Sequence, residues 1–580
     1  MEKLKQPCTS RAENDEMFTN PLIWADVPDP DYIRVGDNYY MTATMMYLNP
    51  GCPVLKSKDL VNWEIVNYVY DIIEHNDKMT LKNGEHDYGR GSWASCIRCH
   101  NETFYITFVA YNTNKTYVFQ TKDIENGRFE RYTIEGIYHD MSLLFDDDGR
   151  VYMVYGVGNI KVVELRSDAK ALKPGGMNKT IIEKANIGGD GGLPAEGAHI
   201  YKLNGFYYIF FIAIPMTGPN GEEIPRRRKV YCYRSDKIDG NWEGRVILDD
   251  DMDLPNRGVA QGGIVETEKG EWFSILFQDH GAVGRIPVLV PVTWEDNWPV
   301  FGIDGKIPRR MSIPVPGTGT PVSGAPGSST AMTIVISDHF NNDAPERNFS
   351  ALNDSTYKNG AAAGEYEPNG SNLALEWQWN HNYDNRYWSL TERPGWLRLR
   401  TGSISRNLTE ARNTLSQRTF GPTCSGSIFL DVSNMKNGDC TGLGLLQDRY
   451  GFIGVKMLAG QKSITMAEAS PDSPAQEAER PRRSYKTGIP EKEIEAVPLT
   501  QDTLYLKAAC DFRNINKNVN DIAEFFYSLD GETWVKFGTP LKMQYRLTHF
   551  VGYRFALFNF ATIETGGYVD FDYFEVEGEI

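Results

Sequence analysis

Five residues in the N-terminal half of the chain have types suited to chemistry on a neutral polar bond: Asp29, Trp93, Asp140, Glu196 and Gln261. They lie far apart, yet each stands seven to nine positions before a turn residue (Gly36, Asn101, Gly149, Gly205 and Gly270) that accompanies a short aromatic strand. Three carboxyl groups without a partnered nucleophilic Ser or Cys suit acid–base hydrolysis. Cleaving a glycosidic bond takes two carboxyls flanking that bond, one protonated and one ionised. A third carboxylate nearby raises the acid's pKa by like-charge repulsion and can orient it. A Trp ring offers a flat apolar platform to the C–H face of a sugar. No G-x-S-x-G, phosphate-binding loop or H-E-x-x-H run accompanies these residues, so none of those chemistries has its signature here. A metal clamp is the rival use of three acids. Hard cations want oxygen ligands gathered closely, often in one loop, whereas these acids sit in separate segments.

The elements that must position them form a loose repeat. VGDNYYMTA at 35, HNETFYITF at 100, DDGRVYMVY at 147, LNGFYYIFF at 203 and EKGEWFSIL at 268 each place aromatics in an apolar strand after a polar turn. Successive copies are 65, 47, 56 and 65 residues apart, room for about four short strands, the size of a propeller blade. Helical periodicity is scarce, and the aromatic content of 12% suits an all-β protein. Five units predict a five-bladed β-propeller, in which equivalent strand starts converge on the axis. Within WADVPDPD, Asp29 takes that position between two prolines, and Asp26 and Asp31 read as flanking residues.

A chain of 580 residues exceeds one ordinary core. The uncharged run VPGTGTPVSGAPGSST at 315–330 reads as a linker, dividing a propeller over 1–314 from a second domain over 331–580. That second region repeats short alternating strands, such as GWLRLRTG and GYVDFDYFEV, and carries an Asp-Gly hairpin turn in YSLDGETWVKF. A concanavalin-like β-sandwich of two sheets is the expected fold.

The net charge of −17 argues against nucleic acid or an anionic membrane as partner. A neutral oligo- or polysaccharide is the simpler substrate. The eight cysteines are scattered, and the Cys96/Cys99 pair has no second half to complete a zinc site, so strand thiols are expected. No apolar signal region opens the sequence and no segment could span a bilayer as a helix, from which a cytoplasmic location is expected.

The motifs resemble glycoside hydrolase family 43 along essentially the whole chain. NPLIWADVPDPDYIRVGDNYY is similar to the family's first Asp motif, HDMSLLFDDDGRVYMVY to the segment of its second Asp, and PAEGAHIYKLNGFYYIFF to its Glu-Gly motif. The resemblance implies an inverting, exo-acting hydrolase that releases terminal α-L-arabinofuranose or β-D-xylose from hemicellulose and needs no cofactor. Asp29 would be the general base, Glu196 the general acid, and Asp140 the group setting the acid's pKa and orientation. FQDHGAVGRIPVLVPVTWEDNWP is similar to the fifth-blade segment. It would place Arg285 at a sugar hydroxyl and His280 deep at the propeller centre, a candidate cation ligand. Trp93 and Gln261 would contact substrate. Met46 and Tyr47, in TMMYLNPG, stand where many xylosidases of the family have a Phe-rich run, and would form a wall of the sugar pocket. LEWQWNHNYDNRYWSLTERPGWLRLRT resembles the β-sandwich of exo-acting members, in which Asp338 and Asp572 are candidates for a structural calcium ion. Two other readings stay open: a non-catalytic carbohydrate-binding propeller, and a retaining fructoside hydrolase of the invertase type. The invertase type carries its N-terminal Asp in an Asn-Asp-Pro-Asn context, which WADVPDPD lacks.

Overall fold

The computed structural model describes residues 17–186, 192–218, 222–315, 334–346, 360–469 and 490–579. Five antiparallel four-stranded sheets follow one another from Asp31 to Phe301. The first strand of each is Asp31–Val35, Ser92–His100, Ser142–Phe145, Leu193–Leu203 and Val265–Glu266. The aromatic repeats fall on the second strand of each blade: Asn38–Thr42, Thr103–Ala110, Val151–Tyr155, Phe206–Ile214 and Trp272–Asp279. Both faces of these strands are covered by neighbouring blades, which is why they read as nearly continuous apolar runs instead of alternating ones. Among the described residues, helix is confined to short 3-10 turns. The ring closes where Met17–Thr19 pairs with Arg310–Ser312.

The blades are tied across the axis by polar side chains. Asp31, fully buried, accepts from Arg98 Nη1 at 2.8 Å and the Ile97 amide at 2.9 Å in the second blade, and lies 3.0 Å from His199 Nδ1 in the fourth. Burial alone would raise its pKa, but Arg98 and then His199 outweigh it and hold the carboxyl well below the usual range. Arg98 also donates to Ser142 Oγ of the third blade at 2.7 Å. Asp31 is therefore a clamp at the propeller centre, not the flanking residue the sequence suggested.

The second domain is a sandwich of an eight-stranded and a seven-stranded sheet. Its larger sheet ends in a strand that belongs to the propeller: Leu48–Asn49, in a first-blade loop, pairs with Gln378–Asn380. Asp26 fastens the same seam, accepting from the Arg285 amide at 2.8 Å on one side and the Gly552 amide at 2.9 Å on the other. The two units thus share hydrogen bonds and a continuous apolar core. Of the expected linker 315–330, only Val315 falls within the described residues, and it is buried in that shared core.

Candidate active site

Glu196 sits on Leu193–Leu203, whose pairing with the next strand shifts register on both sides of it. Trp93 lies in a similar irregularity between Ser92 and Ser95. Such bulges re-aim a side chain out of the regular alternation. Asp29, Asp140 and Gln261 have φ of 53°, 48° and 60°, and Gly197, next to Glu196, has φ of 72°. Four of the five positions picked out by the sequence repeat therefore lie in, or beside, left-handed backbone, which side-chain-bearing residues seldom adopt and which concentrates at functional sites. A Cβ at Gly197 would stand 3.0 Å from the Gln261 side chain, so glycine there lets the fourth and fifth blades close together.

The acids have different surroundings. Asp29 is buried and accepts from Arg285 Nη1 at 2.5 Å through one oxygen and from Thr44 Oγ1 at 2.6 Å through the other. Both bonds suit an ionised carboxylate. Arg285 is itself buried; the cost of burying its charge is outweighed by Asp29 above all, so it stays fully cationic. Its guanidinium lies between two rings, 4.5 Å from the centre of Phe277 and 4.6 Å from that of Phe550. Asp279 adds a second carboxylate 3.3 Å from Nε.

Asp140 and Glu196 form a separate group with His139, whose Nε2 lies 3.6 Å from Asp140 Oδ2 and 3.4 Å from Glu196 Oε2. The three donor atoms fall within 4.8 Å of one another, and Asp29 stands outside this group. Burial pushes the Asp140 carboxyl up to about 7; Glu196 and Asp29 add to the rise, and His139 opposes it. Burial would neutralise His139, but Asp140, then Glu196 and Asp29, outweigh it and raise the ring to about 9. The opposite ring nitrogen, Nδ1, meets Tyr111 Oη at 2.8 Å.

Trp93 is half-buried and packs on Phe550 with ring centres 5.0 Å apart and on His139 at 5.6 Å. Phe550 belongs to the sandwich, so the second domain supplies part of this wall. The structure thus brings Asp29, Trp93, Asp140, Glu196, Gln261 and Arg285 together, although Arg285 is bonded first to Asp29. Met46 and Tyr47 are buried in an interface cluster with Leu48, Tyr88, Phe550 and Val551, against which Trp93 packs. Tyr47 stacks on His381 of the sandwich at 4.9 Å. They are buried because the loop carrying them also lends Leu48–Asn49 to the sandwich sheet.

The candidate cation ligands do not assemble. His280 is buried against Trp24, ring centres 4.8 Å apart. Burial first, and then Arg257 and Arg309, push its pKa down to about 4. Asp338 does lie beside the strand of Asp572, bridging to Phe574. Its oxygens, however, accept from the Phe340 amide at 2.7 Å and Trp377 Nε1 at 2.8 Å. Sequence reasoning missed His139, Thr44, Tyr111 and Phe550. His139 was visible as the neighbour of Asp140, whereas Phe550 reaches the site only through domain docking.

Two neighbouring carboxyls, set apart from a third that an arginine holds, are the equipment of glycosidic hydrolysis. Residues 18–299 match the model of glycosyl hydrolases family 43, and residues 366–577 match the β-xylosidase C-terminal concanavalin A-like domain. The chain belongs to glycosyl hydrolase family 43. It is accordingly an inverting glycoside hydrolase whose catalysis needs no cofactor. A β-xylosidase of Formosa agariphila is 28% identical over 97% of this chain and 90% of its own length. A non-reducing end α-L-arabinofuranosidase of Bacteroides ovatus is 25% identical over 71% of this chain and 70% of its own. A bifunctional family 43–CE structure from Bacteroides eggerthii superposes with a TM-score of 0.82 at 43% identity; it covers all of this chain, which spans 64% of that longer one.

Proposed function

We propose that the enzyme removes single terminal β-D-xylose or α-L-arabinofuranose units from hemicellulose such as arabinoxylan or xylo-oligosaccharides. Asp29 is the base that activates water, Glu196 the acid that protonates the leaving oxygen, and Asp140 the group that keeps that proton available. One observation carries the assignment of roles: Asp29 has both oxygens engaged by Arg285 and Thr44, whereas Asp140 and Glu196 share their surroundings with each other and with His139. The environments thus separate a base from an acid. The pentose assignment is supported by the β-xylosidase and arabinofuranosidase relatives and by a sandwich ring, Phe550, that walls the site beside Trp93. The proposal does not extend to structural calcium at Asp338, whose oxygens are already bonded.

The test is hydrolysis of nitrophenyl β-D-xyloside and nitrophenyl α-L-arabinofuranoside, with the first-formed sugar followed by proton NMR. At least one should be cleaved, giving α-xylose or β-arabinofuranose first. Asp29→Ala on these glycosides, and Glu196→Ala on an alkyl glycoside whose leaving oxygen must be protonated, should lose turnover while keeping the wild-type melting profile. Failure on both glycosides, or near-full activity in either variant, overturns the substrate or the role concerned.

A further inference from the structure

His139 Nε2 stands 3.4 Å from Glu196 and 3.6 Å from Asp140, and the general mechanism has no use for it. Its position is built, not incidental. The ring is caged by Trp93 at 5.6 Å and Tyr111 at 5.9 Å, and those two rings pack on each other at 4.9 Å. Its backbone carbonyl accepts from the Gly156 amide at 3.1 Å. With Nδ1 met by the Tyr111 hydroxyl, Nε2 is the nitrogen left to face Glu196 and Asp140. In the charged ring both nitrogens carry hydrogens, so Nε2 donates toward the carboxylate it faces. The side chain is 14% exposed, enough to exchange protons with solvent in the open pocket.

We infer that His139 is a positioning residue for the general acid: its Nε2–H is aimed at Glu196 with Asp140 beside it, holds the two carboxyls in one electrostatic unit, and fixes the pH at which that unit loses its proton. The inference rests on the assignment of Glu196 as acid. The charged groups facing the ring are Asp140 and Glu196 in contact and Asp29 further off, with Tyr111 on its other side; Arg285 acts on the unit through Asp140. A cation beside two carboxyls favours their ionised forms. It therefore keeps the unit from holding its proton too tightly to give it to a leaving oxygen, and it caps the alkaline limit of activity. After Glu196 has passed its proton to the leaving group, the new carboxylate finds an N–H already aimed at it. No bond to His139 is made or broken in this step.

The experiment is the pH profile of kcat/KM for full-length wild type, His139→Gln and Tyr111→Phe, on one xyloside or arabinofuranoside with an activated nitrophenyl leaving group and one with an unactivated alkyl leaving group. In His139→Gln the alkaline limb should move up by about one pH unit or more, because the repelling carboxyls then keep their proton longer. Its kcat should fall about tenfold or more on the alkyl glycoside and much less on the nitrophenyl one, since only the former depends on protonation. Tyr111→Phe, which leaves the imidazole in place, should give the same pattern more weakly. This second variant keeps the test open should His139→Gln melt below the assay temperature. An unmoved limb in both variants, an equal loss on both leaving groups, or a limb moving down overturns the inference. Glu196→Gln separates this from the parent reading: full activity there on the alkyl glycoside removes the acid assignment itself, whatever His139 does.

Discussion

The catalytic pocket and the seam between propeller and sandwich both bury histidine, with opposite results. In the pocket, His139 stands among Asp140, Glu196 and Asp29 and is raised to about 9 despite burial. At the seam, His280 packs on Trp24 and is lowered to about 4, and His381, stacked on Tyr47, is lowered well below its ordinary value by burial and by its neighbours His86 and His549. The pocket supplies counter-charge where it removes water, and the seam removes water without a carboxylate to oppose it. The first arrangement holds protons for chemistry; the second holds two domains together with neutral rings.

The largest effects are expected where counter-charge is withdrawn from the pocket. Arg285 is buried against Asp29, Asp279, Phe277 and Phe550. Arg285→Ala would leave the buried Asp29 carboxylate without its cation, take one of two cationic partners from Asp279, and open a gap under Phe550. Removing one partner of a buried pair costs about 3–5 kcal/mol, so the variant should melt well below wild type and lose about 100-fold or more in kcat/KM. A variant that kept wild-type melting would show that Asp29 does not depend on this pair. Thr44→Val, which removes only the other bond to Asp29, should give a smaller loss confined mainly to kcat.

The seam should respond to acid, and the sign follows from its lowered histidine. A base with a folded pKa of about 4, against about 6.5 unfolded, contributes stability that is complete above pH 6.5 and is lost as pH falls from there toward 4. The part due to His280 is about 2 kcal/mol at pH 5. His139 runs the other way, its contribution complete below pH 6.5 and lost as pH rises through about 9. Thermal melts at pH 5, 7 and 9 should therefore show losses at both ends. His280→Phe should flatten the acid side without touching the alkaline one. An unchanged acid slope in that variant would move the sensitivity to His381 or to the carboxylates.

Much of the pocket was legible in the sequence because a propeller repeats. Equivalent strand starts converge, so one spacing rule collected Asp29, Trp93, Asp140, Glu196 and Gln261 from five distant segments, and the aromatic runs marked the covered strands. What escaped the sequence lies where the repeat is broken by domain docking. Asp26 and Asp31 sit two or three residues from Asp29 and look alike in sequence, yet one fastens the sandwich and the other clamps three blades. Phe550 carries no local signal of its destination. Met46 and Tyr47 show the same effect: in sequence their loop borders the first blade, but its next residues join the other domain's sheet.

Gly197 offers a milder probe on the pocket side. Its φ of 72° and the 3.0 Å approach of Gln261 make alanine strained at that point. Gly197→Ala should cost about 1–2 kcal/mol and, by displacing Glu196 and Gln261 slightly, lower kcat several-fold with KM less affected. Equal loss in both constants would place Gln261 in substrate binding more than in packing.

The smallest effect is expected on the seam side, from Tyr47→Phe. Its hydroxyl lies 3.4 Å from His549 Nδ1, a long contact, and its ring stays sandwiched by Tyr88 and His381 at 4.6 and 4.9 Å. Losing one weak hydrogen bond between neutral groups should cost no more than about 1 kcal/mol, and kcat/KM on either pentoside should remain within about twofold of wild type. Were Tyr47 a wall of the sugar pocket, the same change would remove a donor to a sugar hydroxyl and raise KM markedly with the melting profile unmoved. The two outcomes differ in which measurement shifts, so one conservative substitution decides whether the residues after the first blade strand face the substrate or the second domain.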